Sequence, residues 1–387
     1  MFVGTWNVGG RAPDSGLNLR DWLTFSSSSP ADIYVLGFQE IVPLNAGNVL
    51  VAEDRGPAGQ WLSLIRKALN PRRTQQDVPE NYSDAAGLNT VSFDRTMAAG
   101  EEFGGFGAWD GYRLVACKQM VGIFLCVWVR ASLFRHVSNV RVSCVARGIM
   151  GYMGNKGSIS VSVTVRGTSC CFVCTHLTSG EKEGDAARRN KDVMEILKKT
   201  KFSNTQSFFC DSPHTILEHD KIVWLGDLNY RLEAASSWDE TLELLQEKDW
   251  KALLERDQLK GEQRGGRVLA GWEEGIINFP PTYKYLANSD SYAIRLARSG
   301  GKRGAPAWCD RILWQGKGMK QQWYRRGESR FSDHRPVYAL FAVDLDGDYT
   351  LARPSAGSSS AAWAKVQAEE ILLLTRAQSC IETASRF

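Results

Sequence analysis

The chain of 387 residues has no apolar run long enough to cross a bilayer: stretches such as IFLCVWV at 123–129 stop well short of the roughly 18 to 20 residues a spanning helix needs. No secretory-signal pattern opens it, so a soluble or peripheral protein is expected. A charge excess is lacking too. Lysine and arginine number 47 against 43 aspartate and glutamate, and a net +4 is far from the basic footprint of a general nucleic-acid binder. The Walker spacing GxxxxGK[ST] is missing, which excludes an ATP-type P-loop, and there is no internal repeat. Cysteine does not form a disulfide framework: the 9 residues are an odd number, and Cys126, Cys170, Cys171 and Cys174 lie in apolar runs where thiols behave as small hydrophobes. A reducing compartment and no structural zinc are expected.

What is present is ordinary for a globular protein. Hydrophobic residues make up 43% and charged ones 23%, which rules out collagen-like, coiled-coil and wholly disordered chains. The length allows two to three domains or one large α/β domain. Strand-like runs recur at 2–8, 33–38, 112–129, 159–165, 169–177, 221–228, 309–314 and 336–343. Helical periodicity appears at 60–69 (Trp61, Ile65, Leu69) and 181–201 (Ala186, Val193, Met194, Leu197). Strands that follow one another directly need antiparallel or mixed pairing, because parallel neighbours require a crossover. The class is therefore α/β with mixed sheets. The polar, Gly-rich stretch 71–111 reads as a surface insertion, and ARPSAGSSSAA at 352–362 as a linker to a C-terminal amphipathic helix carrying Trp363, Val366, Leu373, Leu374, Ala377 and Ile381. The division expected is 1–350 as a catalytic domain and 351–387 as linker and helix. The chain opens directly on a strand pattern, MFVGTWNVGG, which suggests a segment upstream of it.

The informative pattern is where polar residues fall. Apolar runs end repeatedly in an acid, an amide or a histidine: Asn7 after FVGTW, Glu40 after IYVLGFQ, His176 after CCFVCT, Asp227 and Asn229 after KIVWLG. Strand ends are where α/β folds collect their sites, so these side chains are candidates to meet in one pocket. Singly, each has an ordinary explanation: a surface acid, a turn, a core histidine. Glu40 suits a hard cation such as magnesium, which takes one or two carboxylates plus water and substrate phosphate. Asp310, in PAWCDRILW, sits in an apolar context where an unpaired carboxylate is costly, so a histidine or arginine partner is expected. Asp333 and His334 precede the last apolar run. Asn155 and Lys156 in GYMGNKGS, Lys284 in PPTYKY, and Lys302 and Arg303 add groups suited to phosphate.

In order, TWNVGG, GFQEIVPL, GNKGS, THLTSGE, WLGDLNYRL, PPTYKY, PAWCDRILW and FSDHRPV resemble the successive signatures of the inositol polyphosphate 5-phosphatases, of the endonuclease/exonuclease/phosphatase superfamily. The resemblance runs from about residue 2 to 343, and the insertion and tail point to the plant branch. It implies a DNase I-like fold: a two-sheet mixed β-sandwich flanked by helices. It further implies a magnesium site at Glu40 with Asn7 and Asp333, a water-orienting Asp227, and Asn229 holding the phosphate. His334 would be the catalytic histidine oriented by Asp310, and His176 a donor to a phosphoryl oxygen. Asn155 and Lys156 would lie near the 1-phosphate, with Tyr283, Lys284 and Lys302 gripping the 4-phosphate. One departure stands out: where the family usually carries arginine two residues before the proline of PAWCDR, this chain has Gly304, preceded by Arg303.

The implied reaction is magnesium-dependent removal of the 5-phosphate from phosphatidylinositol 4,5-bisphosphate, phosphatidylinositol 3,4,5-trisphosphate or inositol 1,4,5-trisphosphate. The implied setting is the cytoplasm, with peripheral membrane contact and no nucleic-acid partner. Ile149, Met150, Tyr152 and Met153 are candidates for shallow bilayer insertion. Two other readings fit part of the pattern: a magnesium-dependent nuclease of the same superfamily, and a non-catalytic phosphoinositide-binding protein. The near-neutral charge and the flanks of PPTYKY and PAWCDRIL speak against the first, and the complete set of polar positions against the second.

Overall fold

The computed structural model describes residues 1–14, 16–23, 30–43, 56–71, 111–148, 154–203, 212–233, 238–293 and 306–345. The expectations for the insertion (72–110) and for the tail (351–387) lie outside these residues. In chain order the strands are β1 (Phe2–Asn7), β2 (Ile33–Gln39), β3 (Tyr112–Met120), β4 (Ile123–Arg130), β5 (Val137–Ala146), β6 (Gly157–Val165), β7 (Thr168–His176), β8 (Lys221–Asp227), β9 (Glu273–Glu274), β10 (Asp310–Gln315), β11 (Met319–Arg326) and β12 (Val337–Val343). They form two 6-stranded sheets, ordered β11-β12-β1-β2-β4-β3 and β5-β6-β7-β8-β10-β9. Each sheet has one parallel pair, β1 with β2 and β7 with β8, and antiparallel neighbours on either side. The two sheets are thus alike in plan: the mixed pairing expected from the strand pattern and the two-sheet sandwich implied by the resemblance are both present.

The central strands read as unbroken apolar runs because both of their faces are covered. In β2, Ile33 and Val35 enter the core between the sheets, whereas Tyr34, Leu36 and Phe38 turn outward into an aromatic layer with Trp6, Trp22 and Trp61. The helix Gly56–Leu69 closes that layer through Trp61, Ile65 and Leu69. Trp61 is fully buried, and its truncation to alanine would cost about 3–5 kcal/mol. On the other sheet, Val223 and Leu225 of β8 face inward, while Ile222 and Trp224 pack outward with Val193 and Ile196 of the helix Asp185–Lys199.

Two sequence expectations change. The run 112–129 is not one strand: it folds back at Val121 and Gly122 into the β3–β4 hairpin. The buried face of the helix Asp185–Lys199 is Arg189, Asn190, Val193 and Ile196, and Met194 is 61% exposed. Arg189 is tolerated inside because it donates to Thr178 O, Gly180 O and Gln258 Oε1. Finally, Cys171 and Cys174 have CxxC spacing, yet their strand sends them to opposite faces, Cys171 to the helical layer and Cys174 to the inter-sheet core. Such a pair cannot converge on one metal.

Candidate functional site

The parallel pairs decide where the site lies. Because β1 runs with β2 and β7 with β8, four strands end at one edge of the sandwich. Asn7 closes β1, Glu40 follows β2, and His176 and Asp227 face each other across the β7–β8 ladder. The antiparallel β10 begins there, with Asp310 opposite Asp227. His334 sits in the segment leading into β12, its carbonyl accepting from Trp6 Nε1 at 3.2 Å.

Bonds across the gap between sheets join these ends. Asn7 Nδ2 donates to Asp227 Oδ2 at 2.9 Å and lies 3.3 Å from Glu40 Oε1. The Asn7 oxygen is engaged by Gly9 N–H at 3.0 Å, so the amide presents N–H, not oxygen, to the two carboxylates. His176 Nε2 is 3.2 Å from Asp227 Oδ2 and 3.8 Å from Glu40 Oε1. Lys156 Nζ packs against the same ring nitrogen. His334 Nε2 is 4.0 Å from Asp227 Oδ2, and its Nδ1 donates to Asp310 Oδ2 at 2.9 Å. Thr282 Oγ1 gives Asp310 Oδ2 a second donor at 2.7 Å. Asp310 therefore has the partner its burial demands, as the apolar context of PAWCDRILW predicts.

The electrostatics follow from burial set against neighbours. Burial alone would push the Asp227 carboxyl up, but His176, His334 and Lys156 outweigh it and hold the group well below the ordinary carboxylate range. Burial opposes a charge on His334, yet Asp310, then Asp227 and Asp333, prevail and raise the ring to about 9. Burial pulls the Lys156 ammonium down. The site thus pairs an ionised carboxylate with an imidazolium that donates from both nitrogens. Backbone conformation marks the same places: Glu40 and Asn229 adopt φ of 54° and 58°, left-handed values that a residue with a Cβ holds at a cost. Gly10 N–H to Glu40 O at 2.8 Å and Ile41 N–H to Gly122 O at 3.0 Å keep the Glu40 turn in place.

The remaining candidates surround this centre. Asn229 bonds to Leu177 O through Nδ2 at 3.1 Å, and its backbone N–H caps Asp227 Oδ1 at 3.0 Å. The Tyr283 ring lies over His334 with centroids 4.4 Å apart. Lys284 and Asp333 are 3.8 Å apart at the rim. Asn155 Oδ1 is buried without a hydrogen-bond partner among the described residues. Lys156 is deeper than a position beside a remote phosphate implies, because Gly157 pairs with His176 and brings its predecessor to the centre. Lys302 and Gly304 lie outside the described residues.

One residue escaped the sequence reading. Arg231 donates to Asn229 Oδ1 at 2.8 Å and to Asn229 O at 3.1 Å, pairs with Glu181 at 2.9 Å, and sets its guanidinium 4.6 Å from the Tyr283 ring centroid. The signal was available: an arginine between Tyr230 and Leu232 needs a partner for the same reason Asp310 does.

The model of the endonuclease/exonuclease/phosphatase family 2 matches residues 4–340. The type I inositol polyphosphate 5-phosphatase 8 of Arabidopsis thaliana is 57% identical over 397 residues, spanning 100% of this chain and 81% of the relative. The type I inositol polyphosphate 5-phosphatase 4 of the same plant is 47% identical over 452 residues, spanning 96% and 82%. Among solved structures, the inositol polyphosphate 5-phosphatase domain of a synaptojanin, in complex with inositol (1,4)-bisphosphate and calcium ion, is 26% identical with a TM-score of 0.67, covering 100% of this chain and 92% of that one. The chain therefore belongs to the endonuclease/exonuclease/phosphatase family, among its plant-type inositol polyphosphate 5-phosphatases, and is a phosphoric monoester hydrolase.

Proposed function

We propose that the chain removes the 5-phosphate of phosphatidylinositol 4,5-bisphosphate, phosphatidylinositol 3,4,5-trisphosphate or inositol 1,4,5-trisphosphate in a magnesium-dependent reaction at the cytoplasmic face of a membrane. The observation that carries this reading is the meeting of Glu40, Asp227 and His334, from three distant parts of the chain, through contacts of 4.0 Å or less centred on Asp227 and His176. The solved relative supports it, since inositol 1,4-bisphosphate is what loss of the 5-phosphate leaves from inositol 1,4,5-trisphosphate.

The donor set fits magnesium. Asp227, Asp310 and His334 offer ligand atoms within 4.8 Å of one another, but the Asp310–His334 hydrogen bond occupies two of these three groups. Glu40 is the open one: its side chain is 28% exposed and shares its corner with Asn7 and Asp227. One such oxygen ligand, completed by water and phosphate, is what a magnesium ion accepts. Glu40 would hold the ion, with Asn7 beside it and Asp333 at the rim. When bound, the ion supplies polarisation of the scissile phosphate and neutralises charge on the leaving oxygen.

The chain's own residues do the rest. Asp227, ionised and fixed by Asn7 and the Asn229 N–H, accepts a hydrogen bond from the attacking water and aims it. Asp310 fixes Nδ1 of His334, so Nε2–H faces Asp227, from where it would donate to a phosphoryl oxygen. His176 and Lys156 add donors on the other side. Preorganised donors of this kind contribute on the order of 3 kcal/mol each by stabilising charge in the transition state. Asn155, Tyr283, Lys284 and Lys302 are assigned to the substrate's other phosphates. For lipid substrates Ile149, Met150, Tyr152 and Met153, which lie outside the described residues, would meet the bilayer; no helix among the described residues is long and apolar enough to cross one.

Phosphate release from the three substrates, with magnesium and with EDTA, tests the proposal. Release that EDTA abolishes is expected, and absence of release from all three in magnesium would overturn it. Asp227→Ala and His334→Ala should each remove turnover while leaving the unfolding transition cooperative. Substituting Met150 and Met153 by aspartate should reduce co-sedimentation with vesicles containing phosphatidylinositol 4,5-bisphosphate; unchanged binding would reject the bilayer contact.

A further inference from the structure

Next to the catalytic centre, between the turn after β1 and the segment before β12, lies a cavity of about 350 Å³ whose lining includes Gly9, Arg11, Lys284, Ser332 and Asp333. Its lining adjoins the site along the chain: the Gly9 N–H donates to Asn7 Oδ1 at 3.0 Å, and Asp333 precedes His334. Gly9 has φ +63°, which favours glycine, and a Cβ there would stand 3.2 Å from Ser332 Oγ and 3.3 Å from Asp333 Oδ1, so this wall packs closely against the backbone of the turn. Two residues on, Arg11 is carried to the cavity with its Nη1 donating to Phe331 O at 2.7 Å and its guanidinium 6.0 Å from the Phe331 ring centroid. A second cavity, of about 590 Å³, has Arg11 on its wall as well.

Arg11 differs from other cations near it. Arg330 is paired with Asp290, and Lys284 stands 3.8 Å from Asp333. Arg11 makes no ion pair among the described residues; its guanidinium meets a carbonyl and a ring. A guanidinium has five N–H donors in a fixed fork, and the Phe331 carbonyl engages one. The cavity therefore holds two cations against one carboxylate, with one cation anchored and largely unspent.

We infer that Arg11 is a specificity-determining residue that, with Lys284, receives the phosphate adjacent to the scissile one on the inositol ring, an inference that rests on the 5-phosphatase reading above. The fork takes two phosphate oxygens at once, which a lysine cannot do. Soluble and lipid substrates present the same vicinal pair, so Arg11 acts on both.

The test compares wild type, Arg11→Ala and Arg11→Lys by kcat/KM on dispersed phosphatidylinositol 4,5-bisphosphate, soluble inositol 1,4,5-trisphosphate and phosphatidylinositol 5-phosphate, which lacks the neighbouring phosphate. The preference for each vicinal bisphosphate over the 5-monophosphate should fall about tenfold or more in Arg11→Ala, chiefly through KM, as expected for a lost charge-assisted contact. Arg11→Lys should fall between. A preference equal to wild type in Arg11→Ala overturns the inference, and so does a fall confined to the lipid, which would place Arg11 at the membrane rather than at the vicinal phosphate. A wild type inactive on all three substrates overturns the 5-phosphatase reading itself, and with it this inference.

Discussion

Asn229 uses its amide inside the protein, its oxygen bonded to Arg231 and one N–H to Leu177 O, which leaves the other N–H to serve the phosphate of the proposed reaction. Its position is therefore set by Arg231, whose guanidinium also backs the Tyr283 ring that lies on His334. Replacing Arg231 by methionine keeps the length and removes the fork. We expect kcat/KM to drop on the order of 100-fold, the usual consequence of misplacing a catalytic group by about an ångström. Arg231→Lys should lose less, and steady-state phosphate release at matched folded fractions measures both; wild-type kinetics in Arg231→Met would remove Arg231 from the site. Much of the site was legible at this scale. Asn7, Glu40, His176 and Asp227 stood out as polar residues closing apolar runs, and Asp310 as a buried charge in need of a partner. Arg231 obeys the same rule, being a cation between Tyr230 and Leu232, whereas the depth of Lys156 is hidden in the sequence because it depends on the pairing of Gly157 with His176.

At the scale of elements, Asp227 is aimed by the end of β8. The preceding Gly226 has φ +142°, and a Cβ there would lie 2.1 Å from Thr175 O of β7. Gly226→Ala has to push apart the parallel pair that carries His176 and Asp227, and should cost about 3 kcal/mol or more. Urea unfolding gives the value; a wild-type midpoint would show that the pair is looser than this.

A second element prediction concerns His219, which bonds through Nδ1 to Thr215 O at 2.9 Å and through Nε2 to Ser162 Oγ at 2.9 Å. Two acceptor carbonyls near Nδ1 and a hydroxyl at Nε2 suit the neutral ring, and burial lowers its pKa from the ordinary 6.5. The unfolded chain then binds the proton more readily, so this contribution to stability is full above pH 6.5 and declines as pH falls below it. The urea midpoint of wild type should drop more between pH 7.5 and 5.5 than that of His219→Asn; equal drops would mean the ring titrates normally. The strands with two covered faces were visible in the sequence as apolar runs. Strands β5 and β11 were not, since much of each is only partly buried or exposed, and polar residues such as those of MKQQWYRR mask them.

For the whole molecule, the sequence pattern implied mixed sheets but not which strands run parallel. That pairing brings together ends up to 220 residues apart in the chain, and it is fixed by long-range register such as Phe2 with Tyr34 and Cys170 with Lys221. Periodicity carries no information about such partners, so the sandwich came from family resemblance and the convergence from the structure. These ends, in the function proposed above, enclose one divalent ion and one phosphate monoester. The most direct measurement is a crystal structure of the chain soaked with manganese, as an anomalous substitute for magnesium, and inositol 1,4-bisphosphate. The account expects one manganese peak on the Glu40 carboxylate, with the 5-hydroxyl of the product between it and the pair Asp227 and His334. A peak chelated by Asp227, Asp310 and His334 with the Asp310–His334 bond broken, or a product bound away from all three strand ends, would contradict it.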